Sequence, residues 1–327
     1  MTILITGGAG YIGSHAVLAF RDAGRAVVVM DDLSTGRREL LPADVPLVIG
    51  NAGDEALVAQ VIREREVTAV AHFAGSIVVP ESVRDPLKYC RNNTTVSRSL
   101  IQCCLKNEVR RFIFSSTAAV YGTPDKLQVT EDMPLQPESP YGRSKLMTEW
   151  MLEDTAAAHD FTYVALRYFN VAGADPAGRS GHCTDDATHL LKIACEAATG
   201  QRSTIEIFGE DYDTPAGTCI RDFIHVTDLA EAHVEALRHL ENGGTSLALN
   251  CGYGRGYSVK QVLAAVEQAT GQPLPVRSAA RRPGDPVALV ANPEKLTKLF
   301  DWRPKHDDLS VIVEAALRWE RQLLERS

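Results

Sequence analysis

The chain has no C-x-x-C pair, no apolar run of membrane-spanning length and no excess of positive charge. Each absence excludes a class of protein. Its seven cysteines (Cys90, Cys103, Cys104, Cys183, Cys195, Cys219 and Cys251) are odd in number and scattered. They read as reduced, mostly buried thiols rather than a disulfide framework. His182, Cys183 and His189 lie close in sequence, but their spacing matches no zinc pattern and no metal is expected. A membrane helix needs about 20 consecutive apolar residues, so no membrane partner is expected. The net charge of −8 argues against general nucleic-acid binding. It leaves room for a small anion held by a few local arginines. The opening MTILITGGAG starts as a strand, without the charged start and apolar core of a signal peptide. The cytoplasm is the expected compartment.

What is present is an alternation of short apolar runs with helical patterns, the mark of βαβ units and a parallel sheet. Strands are predicted at Thr2–Thr6, Ala26–Met30, Pro46–Ile49, Val67–His72, Arg111–Ser115 and Val164–Leu166. Helices are predicted at Tyr11–Ala23, Glu55–Arg65, Thr94–Asn107 and Pro140–His159. Gly24 suits the position just past a helix end. Beyond Asn170 glycine, proline and aspartate become frequent and loops lengthen. A further helix is predicted over Thr227–Leu240 with Thr227 as its N-cap, and a strand over Leu247–Asn250. The expected fold is α/β: a Rossmann-type doubly wound parallel sheet in residues 1–170, then a smaller C-terminal substrate-binding domain in residues 171–327. Some later segments are expected to return to the first domain.

The first strand runs into Thr6-Gly7-Gly8-Ala9-Gly10-Tyr11-Ile12-Gly13. G-x-x-G-x-x-G between a strand and a helix is a variant of the dinucleotide fingerprint. Its glycines permit a tight turn and close approach to a pyrophosphate, and the helix start supplies amide donors. The second strand leads into Asp31-Asp32, about twenty residues on, where a carboxylate accepts from a ribose diol. Asp31 comes first after the apolar run and is the preferred residue. A 2′-phosphate would be repelled there, so NAD is expected over NADP. Arg37 and Arg38 read as solvated loop charges.

The fifth strand ends in Ser115-Ser116-Thr117, and ligands of such sheets bind beyond the carboxyl ends of strands. Further on, Ser139-Pro140-Tyr141-Gly142-Arg143-Ser144-Lys145 opens a helix with Ser139 as N-cap and Pro140 as first residue. Tyr141 and Lys145, four apart, share one face. A tyrosine has a pKa near 10, and bringing it to about 7 takes roughly 4 kcal/mol of differential stabilisation. A neighbouring ammonium and the positive end of the helix both act in that direction. Alone, Y-x-x-x-K is common; beside a nucleotide loop and a strand-end hydroxyl it gains meaning.

With those three parts in order, the chain resembles the extended short-chain dehydrogenases/reductases, and among them the UDP-glucose 4-epimerases. The resemblance runs nearly end to end through GGAGYIGSH, HFAG with VPESV, FIFSSTAAVYG, SPYGRSKLMTE, RYFNVAGADP, CIRDFIHVTDLA and RRPGD. It implies a redox-neutral inversion. Tyr141 removes the proton of the sugar 4-hydroxyl while Thr117 shares the hydrogen bond. Hydride passes from C4 to NAD and returns to the opposite face of a 4-keto sugar. Lys145 lowers the Tyr141 pKa and holds the nicotinamide ribose. The resemblance places Gly7, Gly10, Tyr11, Ile12, Gly13, Asp31, Asn51, Phe73, Ala74, Asn92, Ser115, Tyr141, Lys145 and Tyr168 around the cofactor. It places Thr117, Tyr141, Asn170, His189, Phe208, Arg221, Arg282, Asp285 and Leu289 around a UDP-sugar. Guanidinium groups suit a diphosphate. A homodimer through the helices Thr94–Asn107 and Pro140–His159 is also implied, with Leu100, Ile101, Leu105, Trp150 and Met151 able to face a partner or the interior.

Four positions depart from the family's pattern. Asn51 stands for an aspartate that meets adenine. Ile77 stands for a cofactor-contacting lysine, and His189 for an asparagine near the diphosphate. Leu289 sits where side-chain size governs tolerance of an N-acetyl group. Epimerases of N-acetylhexosamine, glucuronate or pentose nucleotides therefore stay open as alternatives. A 4,6-dehydratase needs an acid/base pair directly after the threonine, and Ala118-Ala119 cannot move protons. A non-catalytic NAD-binding regulator of the same fold is the remaining class, and the presence of both Tyr141 and Lys145 speaks against it.

Overall fold

The computed structural model describes residues 1–184, 187–282 and 284–326. Its centre is a seven-stranded sheet. The strands are β1 (Thr2–Thr6), β2 (Ala26–Asp31), β3 (Leu47–Ile49), β4 (Val67–His72), β5 (Arg111–Thr117), Thr162–Tyr168 and Leu247–Cys251. Their spatial order is Leu247–Cys251, Thr162–Tyr168, β5, β4, β1, β2, β3, and every pairing is parallel. From β1 the chain steps one way to β2 and β3, and from β4 the other way. The crevice for a ligand opens beyond the carboxyl ends of β1 and β4, where the direction reverses.

The strands are apolar on both faces because helices cover both. Ile3, Ile5, Val29 and Ile113 pack with Phe20 of the helix Tyr11–Asp22 and with Leu229 and Leu237 of the helix Val226–Glu241. The alternate residues Leu4, Val28, Val70 and Phe112 face the other way. They meet Val58, Leu100 and Leu152 of the helices Glu55–Glu64, Val96–Lys106 and Pro140–Ala158. The two-residue period of the pleat thus divides each strand between two cores.

The sequence expectations hold for these elements with ends shifted by a few residues, and two differ in kind. The helix expected from Thr94 begins earlier, as a π-turn over Cys90–Thr95. The N-cap expected at Thr227 is His225, whose Nδ1 accepts from the Thr227 amide at 3.1 Å. The strand Ile220–His225 feeds straight into that helix, so the ring takes the capping position and Thr227 is already helical.

A second sheet runs Gly256–Ser258, Ile220–His225, Ala288–Ala291, Gln128–Val129, with Asn170–Ala172 also paired to Ile220–His225. The strands Ile205–Phe208 and Val276–Ala279 pair separately. Residues 226–251 pack with the seven-stranded sheet, whereas Gln128–Val129 joins strands from the second half. Among the described residues no helix is long and apolar enough to cross a membrane.

Candidate active site

The glycine turn is closed so tightly that side chains are excluded. Gly7 has φ of 69°, and a Cβ there would lie 2.5 Å from the Ala74 amide nitrogen. A Cβ on Gly13 would lie 2.1 Å from the Gly7 carbonyl oxygen. Phe73 and Ala74, just after β4, both donate to the Thr6 carbonyl, at 2.9 and 3.1 Å. The two strand ends at the reversal point are thereby tied together. Gly10 is the N-cap of the following helix and offers no side-chain cap. The first helical amides, Tyr11, Ile12 and Gly13, remain donors for an anion. The Tyr11 hydroxyl donates to the Gly173 carbonyl at 2.7 Å, and its ring stacks on His182 at 4.5 Å. Tyr11 therefore serves the turn through its backbone.

Asp31 ends β2 with its carboxylate buried, accepting from the Ala9 amide and the Leu33 amide, each at 2.9 Å. Burial pushes its carboxyl above the ordinary value, against the pull of those two amides. Arg38 is turned to the Pro42 and Ala43 carbonyls, at 3.2 and 2.9 Å, which keeps that guanidinium on its own loop. Asn51 is exposed and accepts from the Gly53 amide at 2.8 Å. A glycine cradle, free helical amides and a fixed carboxylate fit a dinucleotide with a free ribose diol.

β5 brings the hydroxyls. Thr117 is buried and accepts from the Ala119 amide at 3.1 Å, capping a short 3-10 turn over Ala118–Tyr121. Tyr141 lies in the first turn of the helix Pro140–Ala158, whose N-cap Ser139 accepts from the Gly142 amide at 3.1 Å. The Tyr141 phenol lies near the Thr117 hydroxyl, which favours its ionised form, and its ring meets Tyr89 edge-on at 6.3 Å. Lys145 is buried. Its Nζ donates to the Ser115 carbonyl at 2.8 Å and sits 4.9 Å from the Phe114 ring centroid. Burial holds the lysine down to about 8, with the Glu149 carboxylate opposing.

One electrostatic expectation changes here. Burial pushes the Tyr141 phenol above its ordinary value, and the group that acts against burial is Thr117 rather than Lys145. The ammonium is committed to the Ser115 carbonyl, and a desolvated phenolate is costly.

Asn92 lies on the π-turn and donates to Ser76 Oγ at 3.1 Å. Its neighbour Asn93, not anticipated from sequence, is buried. It accepts from the Ser76 amide at 2.7 Å and donates to Ser144 Oγ at 2.9 Å. Tyr168 ends its strand opposite Thr117. Its hydroxyl bonds His233 Nε2, and burial pushes it well above its ordinary value.

Asn170, His189, Phe208, Arg221, Arg282 and Asp285 line one cavity of about 600 Å³. Arg221 pairs with Asp285 and also donates to the Ile220 carbonyl at 2.8 Å. The Arg282 guanidinium lies 3.7 Å from the Phe208 ring centroid. Leu289 does not line this cavity. It is buried with Ala118, Leu146 and Phe169 beside the end of β5.

A doubly wound sheet with a glycine turn at its reversal point, and a Thr/Tyr/Lys group on the neighbouring strand end, defines a dinucleotide-dependent enzyme site. Residues 3–252 match the NAD dependent epimerase/dehydratase family, and the chain belongs to that family. It is 58% identical over 321 residues to the UDP-glucose 4-epimerase of Azospirillum brasilense, covering 98% of this chain and 92% of the relative. Its fold matches the crystal structure of UDP-glucose 4-epimerase from Brucella ovis in complex with NAD, with a TM-score of 0.94, 43% identity and 98% of each chain covered. The Bifidobacterium longum UDP-glucose 4-epimerase in complex with NAD+ and UDP gives a TM-score of 0.93 at 36% identity, again covering 98% of each chain.

Proposed function

We propose that this chain is an NAD-dependent 4-epimerase that interconverts UDP-glucose and UDP-galactose. The observation that carries the proposal is the convergence of Thr117, at the end of β5 beside the glycine turn, with Tyr141 and Lys145 of one helix, Lys145 Nζ donating to the Ser115 carbonyl at 2.8 Å. That cluster brings a phenol, a hydroxyl and an ammonium to one point, where a single sugar hydroxyl can meet a proton acceptor. Ala118 and Ala119 follow Thr117 with no titratable group, so the chain has no acid/base pair there to carry the ketone on to dehydration. NAD, bound at the glycine turn by Gly7, Gly10, Gly13 and Asp31, would supply reversible hydride-transfer chemistry at C4 of the sugar.

The chain's own residues do the rest. Gly7, Gly10, Gly13 and the amides of Tyr11 and Ile12 hold the pyrophosphate. Asp31 takes the adenosine ribose diol, Asn51 meets the adenine, and Phe73, Ala74, Asn92, Ser115 and Tyr168 line the remainder of the cofactor. Tyr141 takes the 4-hydroxyl proton and later returns it, with Thr117 sharing the hydrogen bond. Lys145 orients the nicotinamide ribose and supplies positive charge near the phenol. Arg221 and Arg282 bind the diphosphate, with Asp285 orienting Arg221, and Asn170, His189 and Phe208 complete the UDP-sugar pocket. Leu289 acts from beneath, through its packing on Ala118. In this arrangement residues 1–170 hold the nucleotide and residues 171–327 the sugar nucleotide, in the cytoplasm.

Purified protein supplied with UDP-galactose and no added NAD is expected to yield UDP-glucose until the two equilibrate. UDP-N-acetylgalactosamine, UDP-glucuronate and UDP-xylose tested alongside give the breadth of the pocket. A 4,6-dehydrated keto sugar as the main product overturns the proposal.

The same proposal extends to a homodimer, supported by an apolar face. Trp150 and Met147 on the helix Pro140–Ala158 are 53% and 39% exposed, and Val83 and Leu87 on the short helices packed against it are 64% and 77% exposed. Of the residues expected at the partner face, Leu100 and Ile101 are interior, because they pack into the sheet's second core. Light scattering is expected to give twice the chain mass, and Trp150→Asp to halve it. A wild-type monomer rejects this assembly.

A further inference from the structure

Beneath Thr117 and Lys145 lies a chain of buried polar groups with no place in the mechanism above. Glu149 is four residues beyond Lys145 and eight beyond Tyr141, on the same helical face. It is buried. Its carboxylate accepts from Ser116 Oγ and from Arg167, with Nε at 3.1 Å to Oε1 and Nη2 at 2.6 Å to Oε2. Ser116 stands between Ser115, whose carbonyl receives Lys145 Nζ, and Thr117, which meets Tyr141. Arg167 donates onward to the Tyr121 hydroxyl at 2.9 Å, and that hydroxyl donates to Asn250 Oδ1 at 2.7 Å. The Asn250 amide donates to Glu131 Oε1 at 2.8 Å. The network ties the helix, the end of β5, the strand Thr162–Tyr168 and the strand Leu247–Cys251 at one point.

We propose that Glu149 is a positioning residue. Its carboxylate fixes the end of β5 against the helix that carries Tyr141 and Lys145, and sets a buried negative charge one helical turn from Lys145. A buried carboxylate with one arginine and one serine would satisfy itself as a structural ion pair anywhere in the molecule. Here the serine stands between Ser115, whose carbonyl holds Lys145, and Thr117, whose hydroxyl lies near Tyr141. The electrostatic direction agrees, since the Glu149 charge opposes the effect of burial on Lys145. The other titratable groups around this point are limited. His72 of β4 is held down to about 3 by burial and by Lys145, so it is neutral. Tyr121 and Tyr163 are both pushed up to about 12 by burial and stay protonated. The Arg167 guanidinium is raised further by Glu149 and remains charged. Tyr141 lies on the same helix face, and Glu153, one turn beyond Glu149, acts on Tyr163. Glu149 is thus a buried carboxylate one turn from Lys145 on the same helix face.

This role presupposes the functions given above to Tyr141 and Lys145, and the test separates the two. Glu149→Gln leaves Arg167 buried without its counter-charge and can fail to fold. The pair is therefore replaced as a whole by Glu149→Leu with Arg167→Met, and the link to the strand alone is cut by Ser116→Ala. Lys145 is followed by the pH titration of its 13Cε signal in labelled protein, assigned with Lys145→Arg, a readout that needs no turnover. In the folded double variant Lys145 is expected to titrate at lower pH than in the wild type measured alongside. Its kcat is expected to fall about a hundredfold, as for a displaced catalytic group, with KM for UDP-galactose within about twofold. The alkaline limb of the kcat profile moves to lower pH. Ser116→Ala is expected to lower kcat without moving the Lys145 titration. An unchanged titration and an unchanged kcat profile in the folded double variant reduce Glu149 to an ion pair and overturn the inference. Absence of turnover in the wild type, with the Lys145 titration still moved by the double variant, rejects the epimerase proposal and keeps the link between Glu149 and Lys145.

Discussion

Tyr141→Phe is expected to lose epimerase turnover by about 10²- to 10⁴-fold, the usual range for a general acid/base. The substitution removes one oxygen. The edge-on contact with Tyr89 at 6.3 Å belongs to the ring and survives. Thr117 keeps its bond from the Ala119 amide, so the strand end keeps its shape. Bound NAD, the melting temperature and UDP affinity are therefore expected to stay near wild type. What disappears is the atom that takes the 4-hydroxyl proton. Burial works against ionising that phenol, so the positive charge that makes it a base has to come from the assembled site. Lys145→Met is then expected to approach the same loss, although it leaves the phenol in place. Turnover in Tyr141→Phe within about threefold of wild type, well outside the acid/base range, would exclude Tyr141 as the base.

The parts of the site that were legible in the sequence are those whose chemistry is local. Gly7 and Gly13 announce themselves because no other residue fits a turn with those contacts. Tyr141 and Lys145 are legible because a helix fixes the separation of residues four apart, and Ser139 and Pro140 mark where that helix starts. The parallel sheet follows from apolar runs buried on both faces, and most of its strands lie where the runs do. Contacts between distant segments were not legible. Nothing in the order of residues says that Leu247–Cys251 comes back to lie beside Thr162–Tyr168. Glu149 and Arg167, eighteen apart, read as ordinary charges on a helix and a strand until the fold buries them together. The signal that marks Glu149 is its period: Tyr141, Lys145 and Glu149 fall on one face. Thr227 was the stronger N-cap by residue type, but the incoming strand delivers His225 to that position. Spacing shows that two side chains share a face, and burial and the Ser115 carbonyl decide what they do there.

Gly13→Ala is expected to yield protein nearly free of NAD. The added Cβ would sit 2.1 Å from the Gly7 carbonyl oxygen, with the Gly8 Cα at 2.8 Å. Both neighbours are backbone, so no side chain can swing away to relieve the contact. The helix start has to move outward from the β1 turn, and overpacking of this kind costs about 1–3 kcal/mol. The larger effect falls on the ligand. The amides of Tyr11, Ile12 and Gly13 lie at the uncapped end of that helix, and a pyrophosphate needs them aligned together. Hydrogen bonds to a charged group contribute about 1.5–3 kcal/mol each, so losing one or two lowers affinity by about 10- to 10⁴-fold. Turnover depends on that retention, because the cofactor would have to supply and recover the same pair of electrons within one visit of the sugar. Nucleotide released by acid from the purified variant is the direct measure, and excess NAD in the assay is expected to restore only part of the turnover. Bound NAD equal to wild type in Gly13→Ala would show that the glycine turn is not where the pyrophosphate is held.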